Sequence, residues 1–262
     1  MTKTHICALG SSFAAGPGIL PREYIPAGRS ANNYAHLLAK KLDADLTDRT
    51  CSGATLLNVL NTPQTTLFVN HFPPQLEGVP ENADIVTLTA GGNDVGYGIN
   101  MMKDSLWASG FGGSNQQGAE ASISIEELTQ RFLAVVDAIK QKAPKATLYL
   151  IDYIPIFGDL TKPGHDTPLS QIQINHFRGM AEQISTAFRE AAKARPKTIL
   201  LTLGEWSQGH EVGSKEPWVD GFQWSLVWSM LRGRGGAPYH PNAAGHIGIA
   251  EELFKKINGG GK

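Results

Sequence analysis

Residues 4–16 run Thr4-His5-Ile6-Cys7-Ala8-Leu9-Gly10-Ser11-Ser12-Phe13-Ala14-Ala15-Gly16. A mostly apolar, strand-like run over 4–9 breaks at a glycine into a turn of small and hydroxyl-bearing residues. In an open α/β sheet such a turn lies at the carboxyl end of a strand, the edge where these folds place their chemistry. Ser12 is the side chain so placed. Taken alone, Ser12 reads as a serine that caps a helix N-terminus. A serine hydroxyl is a poor nucleophile at neutral pH, so a chemical role requires a base and oxyanion donors further along the chain.

Working outward, four more runs have strand character: 45–49, 84–90, 147–151 and 198–202. The third, Asp84-Ile85-Val86-Thr87-Leu88-Thr89-Ala90, is β-branched and mostly apolar, as expected of a strand buried on both faces. Between the runs lie stretches whose apolar residues recur at three and four, which predicts helices over 32–42, 125–143, 170–193 and 243–257, with a short one over 56–60. For 125–143, Ser124 and Glu127 can form a capping box, Leu128, Phe132, Val135, Val136 and Ile139 make one face, and Pro144 stops the helix. Strands separated by helices imply right-handed crossovers and a parallel sheet covered on both faces. The expectation is α/β: one three-layer α/β/α sandwich with a five-stranded parallel sheet, flavodoxin-like, forming a single domain over 1–262. Residues 16–28 read as an irregular Gly/Pro-rich loop, 96–124 as a long loop or partly helical insertion, and 259–261 as a flexible tail.

Composition narrows the function classes. The chain has 262 residues, 41% hydrophobic and 18% charged, an ordinary globular balance with ample core. With 23 basic and 24 acidic residues it has no basic stripe for nucleic acid and no Lys/Arg cluster for an anionic membrane. No apolar run approaches the roughly 18 residues of a membrane-spanning helix, and the first residues lack the pattern of a signal peptide. The two cysteines, Cys7 and Cys51, read as apolar packing residues with free thiols. A cytoplasmic protein is the expectation; the oligomeric state is not legible.

Four loops share the sheet edge on which parallel strands end. Ser12 follows the first strand, Gly53 the second and Asn93 the third, while His240 precedes the last helix. The blocks Gly10-Ser11-Ser12 with Gly16, Ser52-Gly53-Ala54, Gly91-Gly92-Asn93-Asp94, and His240-Pro241-Asn242 with Gly245-His246 resemble, in order and spacing, those of the SGNH hydrolases, also called GDSL esterases and lipases. The resemblance covers nearly the whole chain. It implies a carboxylic ester hydrolase that works through an acyl-serine intermediate without cofactor or metal, on a small-molecule or lipid ester. It also implies the roles: Ser12 the nucleophile, His240 its base, and the N–H groups of Ser12 and Gly53 with the Asn93 amide the oxyanion hole. A carbohydrate O-acetylesterase or acyltransferase is the enzymatic alternative, and a catalytically silent binding protein of the same fold is the alternative of another class. Asp94 reads as a turn residue and His246 as structural.

Two positions depart from the family pattern. Ser11 stands where Asp usually precedes the nucleophile, and Ala237 stands where the third triad member, Asp, lies three residues before the histidine. In the branch of secreted actinomycete esterases a main-chain carbonyl orients the histidine instead. The carbonyl of Ala237 is therefore the expected partner of His240, with Asp220 or Glu205 the alternatives if a carboxylate serves. That branch is further suggested by Gly209-His210-Glu211-Val212-Gly213-Ser214 followed by Pro217-Trp218-Val219, although the branch carries a disulfide cysteine where Gly213 aligns. Trp206, Trp218, Phe222 and Trp224, just ahead of His240, are candidates for an apolar acyl-binding wall, the other reading being loop core.

Overall fold

A computed structural model of the protein describes residues 3–66, 69–111, 118, 121–204, 206–232 and 237–259. Its strands are β1 His5–Gly10, β2 Arg22–Tyr24, β3 Arg29–Ser30, β4 Asp45–Asp48, β5 Gln64–Thr65, β6 His71–Phe72, β7 Ile85–Thr89, β8 Thr147–Ile151 and β9 Thr198–Leu201. The helices are α1 Ser12–Ala15, α2 Tyr34–Leu42, α3 Leu56–Leu60, α4 Tyr97–Leu106, α5 Ile125–Lys142, α6 Gln171–Lys193, α7 Trp224–Leu231 and α8 Ala243–Gly259.

Five strands form one parallel sheet in the order β4-β1-β7-β8-β9. The chain enters at β1, moves outward to β4, then crosses back to β7 on the other side of β1. The resulting switch point between β1 and β7 opens a crevice at the carboxyl ends of the strands, where such folds bind ligands. Every residue of β7 is buried, because helices cover both faces of the sheet. On one side α2 packs against α8; in a second group α5 packs against α3 and α6. The apolar stripe read from the sequence of α5, Leu128 to Ile139, is the stripe it buries.

Most expected elements sit within two residues of their sequence limits, and the differences have local causes. Ser124 Oγ accepts the Glu127 N–H, but the Glu127 carboxylate pairs with Arg131 instead of closing a capping box. A reciprocal box does form at α6, between Ser170 and Gln173. The 16–28 loop contains β2, which pairs with β3, and a small hairpin of β5 with β6 rises after α3. The 96–124 insertion begins as α4 and continues through a wider helical turn, Trp107–Phe111, broken at Gly110. The expected tail beyond Gly259 lies outside the described residues. Cys7 and Cys51 are buried free thiols, as their apolar neighbourhoods implied. No helix among the described residues is long and apolar enough to cross a membrane.

Candidate active site

The turn that carries Ser12 is held through its backbone. Gly10 ends β1 at φ 145°, where a Cβ would come within 2.3 Å of the Thr89 carbonyl, so only glycine fits between β1 and β7. Gln75 grips the same residue from the other side: Oε1 accepts the Gly10 N–H at 2.8 Å and Nε2 donates to its carbonyl at 2.9 Å. Ser12 then opens α1, which Gly16 closes in a left-handed conformation at φ 72°. At this first helical position the Ser12 N–H has no intrahelical partner.

Ser12 Oγ lies 2.7 Å from His240 Nε2, although 228 positions separate them in sequence. His240 Nδ1 lies 2.8 Å from the Pro238 carbonyl, which fixes the tautomer: Nδ1 carries the proton and donates, leaving Nε2 to accept from the serine hydroxyl. The expected Ala237 carbonyl is therefore replaced by its neighbour. An aspartate three residues back spans the gap with its side chain. A carbonyl has no such arm, so the nearer residue serves, and Tyr239 brings it round by adopting a left-handed φ of 62°. That conformation costs a non-glycine residue about 1–2 kcal/mol. The buried Tyr239 hydroxyl, 2.6 Å from Ser105 Oγ and 2.7 Å from Thr167 Oγ1, holds it in place.

Of the two alternative carboxylates, the described one, Asp220, does not take this role. Asp220 engages the histidine loop through its backbone, donating N–H to the His240 carbonyl at 2.9 Å and accepting the Tyr239 N–H at 2.7 Å, while its side chain accepts from Asn242. Glu205 lies outside the described residues. With no carboxylate on the ring among the described residues, burial dominates and pushes His240 from 6.5 down to about 4, opposed by the Pro238 hydrogen bond.

The second and third loops meet the first. Gly53 adopts φ 82°, and Gln64 Nε2 donates to the Ser52 carbonyl at 2.8 Å. Because a trans peptide points its C=O and N–H in opposite directions, this bond aims the Gly53 N–H away from Gln64. Asn93 Nδ2 donates one hydrogen to the Ala54 carbonyl at 2.9 Å, leaving its second free to donate. Asp94 secures the turn: its carboxylate accepts the Leu56 N–H and pairs with Arg131, each at 2.9 Å. His246 is buried, stacks on Tyr34 and accepts the Tyr34 N–H at 3.0 Å, a structural role.

Ser12, Gly53, Asn93 and His240 line one open cavity of about 510 Å³, together with apolar Ile25, Pro26, Ile99, Met102 and Ala237 and polar Asn58, Thr65 and Thr66. Trp206, Trp218, Phe222 and Trp224 line none of it, which corrects the expected acyl wall. Trp218 stacks on His210 at 3.7 Å and tilts against Trp206 at 4.8 Å; both indoles pack over Gly248 of α8. The same segment bridges Val219 to Pro241, so these aromatics build the platform under the histidine loop. Phe222 lies between Trp224 and Tyr239. The apolar wall comes instead from α4 and from the loop after β2, whose residues give no periodic signal that distinguishes cavity from core. Elsewhere, Glu23, His36 and Asp48 come together, but Arg29 pairs with both carboxylates at 3.8 and 3.5 Å and already supplies the cation.

Comparisons with known proteins point to one family. The family model for GDSL-like lipases and acylhydrolases matches residues 8–246. The chain is 31% identical over 264 residues to Lipase 2 of Streptomyces coelicolor, covering 94% of this chain and 83% of that one. Among solved structures, an extracellular lipase from Streptomyces rimosus superposes with a TM-score of 0.70 at 23% identity, covering 95% and 98% of the two chains. A phospholipase A1 from Streptomyces albidoflavus also gives 0.70, at 20% identity and 98% and 99% coverage; both are likenesses of fold. From the order of its blocks, the extent of the family match and the identity to Lipase 2, the chain belongs to the GDSL-like lipase/acylhydrolase family of serine ester hydrolases.

Proposed function

We propose that the protein hydrolyses carboxylic esters with an apolar acyl group, acyl lipids or simple aliphatic esters, through a Ser12–His240 dyad. The observation that carries this reading is the 2.7 Å approach of Ser12 Oγ to His240 Nε2 inside a cavity that Gly53 and Asn93 also line. Ser12 Oγ attacks the ester carbonyl while His240 Nε2 takes its proton, and the Pro238 carbonyl steadies the imidazolium through Nδ1–H. The oxyanion is held by the Ser12 and Gly53 N–H groups and the Asn93 amide. His240 returns the proton to the leaving alcohol, and water then releases the acid from Ser12 by the same steps in reverse.

The supporting carbonyl orients the ring but carries no full charge. A base near 4 is well below the value near 7 that suits proton transfer at neutral pH, so modest turnover follows. The paired side chains support a working enzyme over a silent binding protein, and the apolar wall of Ile25, Ile99 and Met102 supports acyl groups longer than acetyl. Two unpaired, buried cysteines support a reducing compartment.

The test is hydrolysis of a chain-length series of nitrophenyl esters with a Ser12→Ala control. Turnover that rises from acetyl toward butyryl or longer, and is abolished by the substitution, is expected. No turnover above the control would sink the reading, and activity confined to acetyl would replace it with deacetylation.

A further inference from the structure

Ser11 occupies the position where the family carries Asp; its backbone N–H donates to the Thr89 carbonyl at 2.9 Å, while its short side chain makes only long contacts. Its Oγ reaches the Thr89 carbonyl at 3.5 Å and the Tyr153 hydroxyl at 3.4 Å, both at the limit of a hydrogen bond. Tyr153, two residues beyond β8, is buried and fills the space between two of the site's loops. Its hydroxyl accepts the Gly92 N–H at 3.0 Å, directly ahead of Asn93. The approach is so close that a Cβ on Gly92 would stand 2.8 Å from that oxygen. Since the hydroxyl accepts from Gly92, its own hydrogen is free for Ser11, whose hydrogen in turn faces Thr89. The Tyr153 ring packs on Phe13 at a centroid distance of 4.4 Å, and Phe13 packs on the His240 ring at 4.9 Å.

We propose that Tyr153 is a positioning residue: its hydroxyl, relayed by Ser11, ties the Ser12 turn to the Asn93 turn in the place of the missing aspartate, and its ring sets the depth of His240 through Phe13. The proposal rests on the dyad reading above. A buried Gly92 N–H without its acceptor would be left unsatisfied, and the Asn93 amide would lose its fixed place relative to Ser12. Transition-state stabilisation suffers from such a shift, while ester binding along the apolar wall does not.

The test measures kcat and KM on nitrophenyl butyrate and the thermal midpoint for Tyr153→Phe, Ser11→Ala, the double variant and Ser11→Asp/Tyr153→Phe. Tyr153→Phe is expected to lower kcat roughly tenfold, with KM within twofold and the midpoint within a few degrees. Ser11→Ala should lower kcat severalfold in the wild-type background and have no added effect beside Tyr153→Phe, because the two act through one relay. The added carboxylate of Ser11→Asp can accept the Gly92 N–H in the space left by the hydroxyl, so it should recover most of the lost kcat. Wild-type kcat in Tyr153→Phe, a loss confined to KM, additive losses or no recovery by Ser11→Asp would each overturn the proposal. Should Tyr153→Phe not fold, an unchanged kcat in Ser11→Ala overturns it alone. Failure of the dyad reading is recognised separately, as a wild-type rate no greater than that of Ser12→Ala.

Discussion

The pH dependence of hydrolysis follows from how His240 is supported. The proposed dyad needs Nε2 unprotonated, and burial lowers the imidazole from 6.5 to about 4, against the opposing Pro238 hydrogen bond. No carboxylate contacts the ring among the described residues; His246, whose charge His240 opposes, is itself pushed down to about 3, chiefly by burial. At pH 5, a base of about 4 is about 90% neutral, whereas one left at 6.5 would be about 3% neutral. The kcat/KM at pH 5 should therefore stay close to its neutral plateau and fall only as the pH drops through about 4. The assay follows nitrophenyl butyrate from pH 3.5 to 8 by a pH-independent readout such as alkaline quenching, with Ser12→Ala subtracted. A half-maximal point near 6.5 or above would refute the argument. Stability carries the same sign. A depressed histidine stabilises the fold fully above its unfolded value of 6.5 and loses that contribution as the pH falls toward 4.

Other consequences are as direct. Asp220→Asn should leave kcat within about threefold, measured on the same ester, because a backbone carbonyl holds His240; removing a true triad carboxylate costs about 10⁴-fold. Asn93→Ala should lower kcat by about 10²–10³-fold, with a much smaller change in KM, as expected for loss of one oxyanion donor; an equal loss in KM would mark Asn93 as a binding residue. Asp152 is raised to about 6, chiefly by burial and against the Ser185 and Tyr153 N–H hydrogen bonds. Its folded value lies above its unfolded one, so its contribution is complete below about 4 and is lost as pH rises through 6. Asp152→Asn should therefore raise the unfolding free energy at pH 8 by up to about 3 kcal/mol, with little change at pH 4, measured by urea denaturation.

The sheet and the four loops that meet at its edge were legible because each is written locally. β7 announces itself by a β-branched apolar run, α5 by its stripe, and Gly91-Gly92-Asn93-Asp94 by an uninterrupted block. The supports of those loops were not legible, because they come from far along the chain. Gln75 reaches Gly10 across 65 positions and Tyr153 reaches Gly92 across 61, and neither residue lies in a recognisable motif. The identity of the histidine-orienting carbonyl depended on one dihedral angle, the left-handed φ of Tyr239, which a non-glycine residue does not advertise. The tryptophans misled for a related reason: an aromatic cluster ahead of a functional loop has the same composition whether it faces the cavity or underlies the loop. Only the stacking of Trp218 on His210 and its packing over Gly248 decide between the two.

That one serine, activated by one histidine on a carbonyl, carries the chemistry is tested most directly by covalent labelling. The protein, His240→Ala and Ser12→Ala are reacted with an alkyl fluorophosphonate, and the adduct is located by peptide mass spectrometry. A single phosphonylated site at Ser12 is expected, formed at least about 100-fold more slowly in His240→Ala and absent from Ser12→Ala. An adduct on another residue, or labelling of Ser12 at an undiminished rate without His240, would contradict it.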